Sequence, residues 1–152
     1  MSEETDAQQT PVAAESAPAA SQERAVAMAQ AALAGKAQDL ILLHVTPLTS
    51  LADFFLVCSG NSDRHVRAIA ERVEEAGREL GCKPLHREGE RSGRWVLLDY
   101  GDVVVHVFDP PTREFYDFVQ LWADAPRLTV EPLPAKPLPV APDELAEPAE
   151  PA

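Results

Sequence analysis

The stretch WVLLDYGDVVVHVF, Trp95 to Phe108, decides how this chain is read. β-Branched and aromatic residues fill both arms and a Gly-Asp pair sits between them, so the stretch predicts a hairpin closed by a two-residue type II′ turn at Gly101-Asp102. In that register Tyr100 faces Val103, Leu98 faces Val105 and Val96 faces Val107, all on one side of the ribbon. This side is apolar apart from one phenol. The other side sets Trp95, Leu97 and Asp99 against Phe108, His106 and Val104, mixing large apolar groups with a carboxylate and an imidazole. Asp99 and His106 stand diagonally across the ribbon, within reach of a hydrogen bond or a shared partner. A functional surface is expected on this mixed side.

Immediately before the hairpin, KPLHRE (Lys83 to Glu88) predicts a short strand with Pro84 near its start or at an edge, and GERSG (Gly89 to Gly93) a turn into the hairpin. Before these, GNSDRHVRAIAERVEEAGRELG carries the clearest helix. Gly60 permits a tight exit from a strand, and Asn61 or Ser62 can cap. Val66, Ile69, Ala70, Val73, Ala76 and Leu80 then form one apolar stripe up to Gly81. Asp39 to Val45 (DLILLHV) and Asp53 to Ser59 (DFFLVCS) are apolar runs of strand length, joined by the loop TPLTSL. The first reads as a strand buried on both faces, with His44 a core or edge histidine.

Upstream, Gln22 to Lys36 is Ala-rich, places Val26, Ala29, Ala32 and Leu33 at helical spacing and stops at Gly35. Downstream, Asp109 or Thr112 caps a helix with prolines in its first turn. Phe115, Phe118, Val119 and Trp122 give it a stripe that reads as packing. The order helix, strand, strand, helix, three strands, helix is an α/β fold with a mixed sheet of about five strands packed with helices. The strand before the long helix pairs in parallel with one after it.

Composition bounds the remainder. With 152 residues, 45% of them hydrophobic, the chain can bury one ordinary core, which predicts one domain. The net charge of −12 is concentrated at the ends: residues 1–21 hold four acidic groups and no basic one, and residues 126–152 hold five acidic against two basic. Residues 22–125 are milder, with sixteen acidic against eleven basic. Such a body lacks the basic stripe that displaces counterions from phosphates, so a dedicated nucleic-acid binder is not expected. It suits a basic protein surface.

Residues 1–21 (Ala, Glu, Ser, Gln, Pro) and 126–152 (proline-rich) are expected to be disordered or extended tails, the second unable to pack as helix or sheet. No apolar run approaches the roughly 18 residues of a membrane span, and the start is acidic, which predicts a cytoplasmic protein or one of an organelle matrix. Cys58 and Cys82 match neither a disulfide framework nor a metal site.

Parts of the sequence invite three kinds of site chemistry. SGNSD at a strand-to-helix junction offers backbone amides to an anion but lacks the spacing of GxGxxG or GxxxxGK[ST]. Asp99, Asp102 and Asp109 could hold magnesium for a nucleotidyltransferase-like enzyme, the main alternative. Two of them flank a tight turn and the third lies past the far end of the returning strand, so convergence is not expected. Ser59 or Ser62 with His65 and Asp63 are too close along one turn for a hydrolase triad. No catalytic residue, metal site or cofactor is expected.

The separated motifs TSLADFFLVCSGNSDRHVRAIAERVEE, EGE at Glu88 to Glu90, RWVLLDYGDVVVHVF and REFYDFVQLW, in this order over about Gln22 to Trp122, resemble the ribosome silencing factor (Iojap) family. The resemblance implies a nucleotidyltransferase-like topology without its catalytic site. It also implies binding to the large ribosomal subunit through its ribosomal protein fourteen, which blocks subunit joining and represses translation when nutrients are short. Gly60, Ser62, Asp63, Arg64 and His65 match the family's strand-to-helix motif, Glu88 its EGE motif, and Trp95, Asp99, Gly101, Asp102 and His106 its hairpin motif. Glu88, Trp95, Leu97, Asp99, Asp102 and His106 are therefore the expected partner-binding residues. No membrane and little direct RNA recognition are expected, and a homodimer stays open. The chain departs from the family in its two long tails and in Ala52, where threonine is common.

Overall fold

The structure is a computed structural model that describes the backbone of residues 9–133 and the side chains of residues 20–133. The tail expected over residues 1–21 lies outside the described residues as far as residue 8, and the Pro-rich tail does so from residue 134. In chain order the elements are α1 (Gln9–Ala34), β1 (Gln38–His44), β2 (Phe54–Ser59), α2 (Asp63–Glu79), β3 (His86–Glu88), β4 (Trp95–Asp99), β5 (Val103–Phe108), α3 (Pro110–Tyr116), a 3-10 helix over Phe118–Trp122, and β6 (Arg127–Leu128). The strands form one six-stranded sheet in the order β3-β4-β5-β2-β1-β6. β2 and β5 run parallel. The other neighbours are antiparallel, so the sheet is mixed as expected.

The hairpin has the expected register, with Val96 opposite Val107 and Leu98 opposite Val105. Tyr100 N–H donates to the Val103 carbonyl at 2.9 Å. Gly101 sits at φ 89°, the positive value that the first loop residue of a type II′ turn requires. α2 begins at Ser62, whose hydroxyl accepts from the His65 amide, and buries Val66, Ile69, Ala70, Val73 and Gly77. The drift of a 3.6-residue turn carries the buried stripe to Gly77 and leaves Leu80 49% exposed.

Four elements differ from the sequence reading. α1 starts at Gln9 rather than Gln22, in keeping with the high helix propensity of its alanines. The strand buried along its whole length is β2, not β1, because β2 lies between β5 and β1 in the middle of the sheet. β1 is fully buried only at Leu42 and Leu43.

The expected C-terminal helix breaks at Asp117, which adopts left-handed backbone at φ 49°. The chain resumes as the 3-10 helix. Phe118, Val119 and Trp122 then turn onto the sheet, whereas Phe115, read as packing, is 80% exposed. Finally, the proline-rich segment does join the sheet. Arg127 and Leu128 pair with Leu43 and Leu42, and the Pro126 carbonyl accepts from the His44 amide at 2.8 Å. Proline cannot donate to a ladder but can accept, so it closes an edge that would otherwise expose unpaired backbone.

The sheet carries a different core on each face. Ala25, Met28, Ala29 and Ala32 of α1 and the α2 stripe cover Leu42, Leu56, Val96, Leu98, Val105 and Val107. On the opposite face Phe55, Val57 and Phe108 pack with Trp95, Phe118 and Trp122.

Candidate functional site

The side of the hairpin away from α1 and α2 is built around Trp95. β4 and β5 set Trp95 opposite Phe108, Leu97 opposite His106 and Asp99 opposite Val104. The half-buried indole packs against Phe108, centroids 4.7 Å apart, and against Tyr116 of α3 at 5.0 Å. Its Nε1–H donates to Nδ1 of His106 at 3.1 Å.

His106 itself is not on the surface. It is 4% exposed, roofed by Phe118 at 4.3 Å and met edge-on by Phe55. Burial lowers its pKa to about 4, so the ring is neutral near pH 7. With Nδ1 accepting from Trp95, the proton belongs on Nε2, which has no hydrogen-bond partner. His106, expected among the partner-binding residues, lies beneath Phe118 and the 3-10 helix. The Asp99–His106 bond is corrected: Asp99 accepts instead from the Gly101 amide at 2.8 Å and stiffens the hairpin turn.

Asp102 is withdrawn in a different way. Its carboxylate is bound by the Arg24 guanidinium and by the Ser21 hydroxyl at 2.8 Å. Burial pushes the carboxyl up, but the bonds from Arg24 and Ser21 and the charge of Arg24 outweigh this and hold it below the usual carboxylate range. Asp102 thus ties α1 to the hairpin turn as half of an ion pair rather than standing free for a partner.

Glu88 is open to solvent, lies opposite Leu97 in the ladder and contacts the His86 ring. The glycine after it is obligatory, since Gly89 sits at φ 85° and a Cβ there would come within 1.8 Å of the Trp95 carbonyl oxygen. The Glu-Gly-Glu turn is thereby pressed against the backbone of Trp95. A small hollow of about 190 Å³ is lined by Glu88, Gly89, Trp95 and Leu97. A larger groove of about 380 Å³ has Trp95, Arg94, Pro111, Phe115 and Tyr116 among its walls. Trp95 borders both.

Phe115 and Tyr116 are surface residues the sequence reading missed. Tyr116 is 53% exposed, and α3 has no buried residue at all. The signal was the brevity of a helix that starts on two prolines; the aromatic spacing from Phe115 to Trp122 concealed it.

The groups weighed for catalysis are engaged elsewhere. The Asn61 amide donates to Nδ1 of His65, whose Nε2 lies 2.9 Å from the Gly35 carbonyl. Asp63 binds Arg64 and Arg67, Ser59 accepts from Arg113, and Asp109 caps α3 through Thr112. Among the described residues no group of three or more His, Cys, Asp or Glu is placed to hold a metal ion. No described helix is long and apolar enough to cross a membrane.

A family model described as ribosomal silencing factor during starvation matches residues 18–150. The chain is 43% identical over 96 residues to ribosomal silencing factor RsfS of Halalkalibacterium halodurans, covering 63% of this chain and 82% of the relative. It is 32% identical over 89 residues to a Mus musculus protein named for mitochondrial assembly of the ribosomal large subunit, covering 57% of this chain and 39% of that one. The fold superimposes on the crystal structure of a Chromobacterium violaceum protein with a TM-score of 0.66 and 41% identity, over 67% of this chain and 85% of the other. The motifs and the sheet both lie within the residues that the family model matches, and the chain belongs to the ribosomal silencing factor family.

Proposed function

We propose that this protein represses translation by docking on the large ribosomal subunit through that subunit's ribosomal protein fourteen, where it occupies the space the small subunit needs for joining. The observation that carries this reading is the ridge formed by Trp95 and Tyr116, flanked by exposed Glu88 and half-buried Leu97 and Asp99. Large aromatic groups with few conformers anchor interfaces, and flanking acids complement the basic surface of a ribosomal protein and speed its capture. Steric exclusion needs a rigid surface and no reactive group. The non-catalytic reading is supported by the internal bonds of Asp99, Asp102 and Asp109, which hold each carboxylate in a structural task.

Co-sedimentation with separated subunits in a sucrose gradient tests the proposal. The wild-type protein is expected with the large subunit alone. Trp95→Ala removes a central anchor and should weaken binding by at least roughly 30-fold, as truncation of an interface hot spot does. Asp99→Lys should act in the same direction by reversing charge at the rim. Equal binding to both subunits, or full retention of folded Trp95→Ala, would overturn the reading.

A further inference from the structure

The aromatic face contains one arrangement that packing alone does not explain. His106 is buried among Phe55 of β2, Phe108 of β5, Phe118 of the 3-10 helix and Trp95 of β4. The bond its ring makes through Nδ1 goes to the half-exposed Trp95, while its Nε2 has no partner. A phenylalanine or leucine at this position would avoid an unpaired polar atom in a desolvated site. Stability is therefore a poor reason for an imidazole here.

The bond does accomplish something that stacking cannot. Contacts of Trp95 with Phe108 and Tyr116 hold the plane of the indole, but ring stacking discriminates weakly between its two edges. The acceptor on His106 distinguishes them. Turning the ring over would carry the indole N–H away from His106 and leave the buried Nδ1 without a donor, a penalty that favours the observed orientation by about tenfold or more.

We propose that His106 is the positioning residue of the docking surface, holding the Trp95 indole from within the core in the orientation that offers its open edge to the partner. This rests on the docking reading above and assigns His106 a role that requires no contact with the ribosome.

The test is a double-substitution cycle of Trp95→Phe and His106→Phe, read by large-subunit affinity and by the indole N–H resonance of Trp95 in ¹H–¹⁵N spectra. Each single variant should lose about tenfold in affinity, and the double variant should lose little more, because both remove the same bond. His106→Asn keeps an acceptor near Nδ1 and should restore most of the affinity. In His106→Phe the Trp95 resonance should shift and the indole N–H proton should exchange faster with solvent.

Additive losses, or wild-type affinity in a folded His106→Phe variant, would overturn the role of His106. So would lost affinity with an unchanged Trp95 resonance. Should His106→Phe fail to fold, Trp95→Phe with wild-type affinity would overturn it equally. Failure of the wild-type protein to bind the large subunit would instead overturn the docking reading, and the resonance measurement would still report whether His106 orients the indole.

Discussion

The two faces of the sheet solve the same problem with different chemistry. Under α1 and α2 the core is mainly aliphatic and small, with Ala25, Met28, Ala29, Ile69 and Val73 against Leu56, Leu98 and Val105, and Tyr100 supplies the polar tip at its margin. On the far face the cover is a five-residue 3-10 helix, and the filling is Phe55, His106, Phe108, Phe118 and Trp122. Long helices bring enough side chains to seal a sheet with small residues in close contact. A short segment must seal it with large rings, and rings bring polar edges: among the described residues two such atoms, Nε2 of His106 and Nε1 of Trp122, are buried without a partner on this face, against one, the Tyr100 hydroxyl, on the helix face. The first face is built for stability. The second gives up some stability, and its open rim at Trp95, Phe115 and Tyr116 is the surface proposed to dock.

This contrast fails if the helix face proves soft. Ile69→Ala, at a fully buried position, should lower unfolding free energy by about 2–5 kcal/mol in urea titration, while the folded fraction keeps its large-subunit affinity. A loss well below 1 kcal/mol would show that the aliphatic face does not hold the fold.

The aromatic face should be the pH-sensitive one. An imidazole that is ordinary in the unfolded chain protonates near 6.5, whereas the buried ring of His106 resists until about 4. The unfolded state thus binds more protons between these values. Stability from the neutral ring is complete above about pH 6.5 and falls as the pH drops through that window, by roughly 3 kcal/mol in all. Urea titrations at pH 7 and 4.5 should show this slope, and His106→Phe should flatten it.

A smaller effect separates the hairpin's turn from its ridge. Asp102→Ala breaks the tie to Arg24 and Ser21 at a partly exposed site, and should reduce stability by about 1–2 kcal/mol while leaving docking intact. Lost docking at unchanged stability would return Asp102 to the partner surface. The smallest stability effect belongs to Phe115→Ser, within about 0.5 kcal/mol of wild type by thermal unfolding because the ring is 80% exposed. The same variant should weaken large-subunit binding, which would extend the ridge along α3.

Much of the fold was legible in the residues because it depends on near neighbours. The hairpin register follows from Gly101 and two arms of period two, the α2 cap from Ser62, and the α1 stop from Gly35. That β2 pairs in parallel with a strand beyond α2 followed from the helix between them, whereas the choice of β5 came from the tertiary structure. What misled was similarity of pattern. DLILLHV and DFFLVCS look alike as strands, yet only strand order says which is covered on both faces. The stripe from Phe115 to Trp122 matched one helix, and the left-handed residue at Asp117 divided it into a half that packs and a half that faces solvent.

The candidate site divides in the same way between local and distant causes. Alternation along β4 and β5 placed Trp95, Leu97, Asp99 and His106 on one side, because in a strand the side-chain direction is settled by position in the chain. Which of them reach solvent was settled by distant parts of the molecule: Phe118 closing over His106, and Arg24 of α1 claiming Asp102. Direction is a property of covalent geometry and turn chemistry, readable residue by residue. Exposure is a property of everything else that folds against the strand, and only the tertiary structure could decide it.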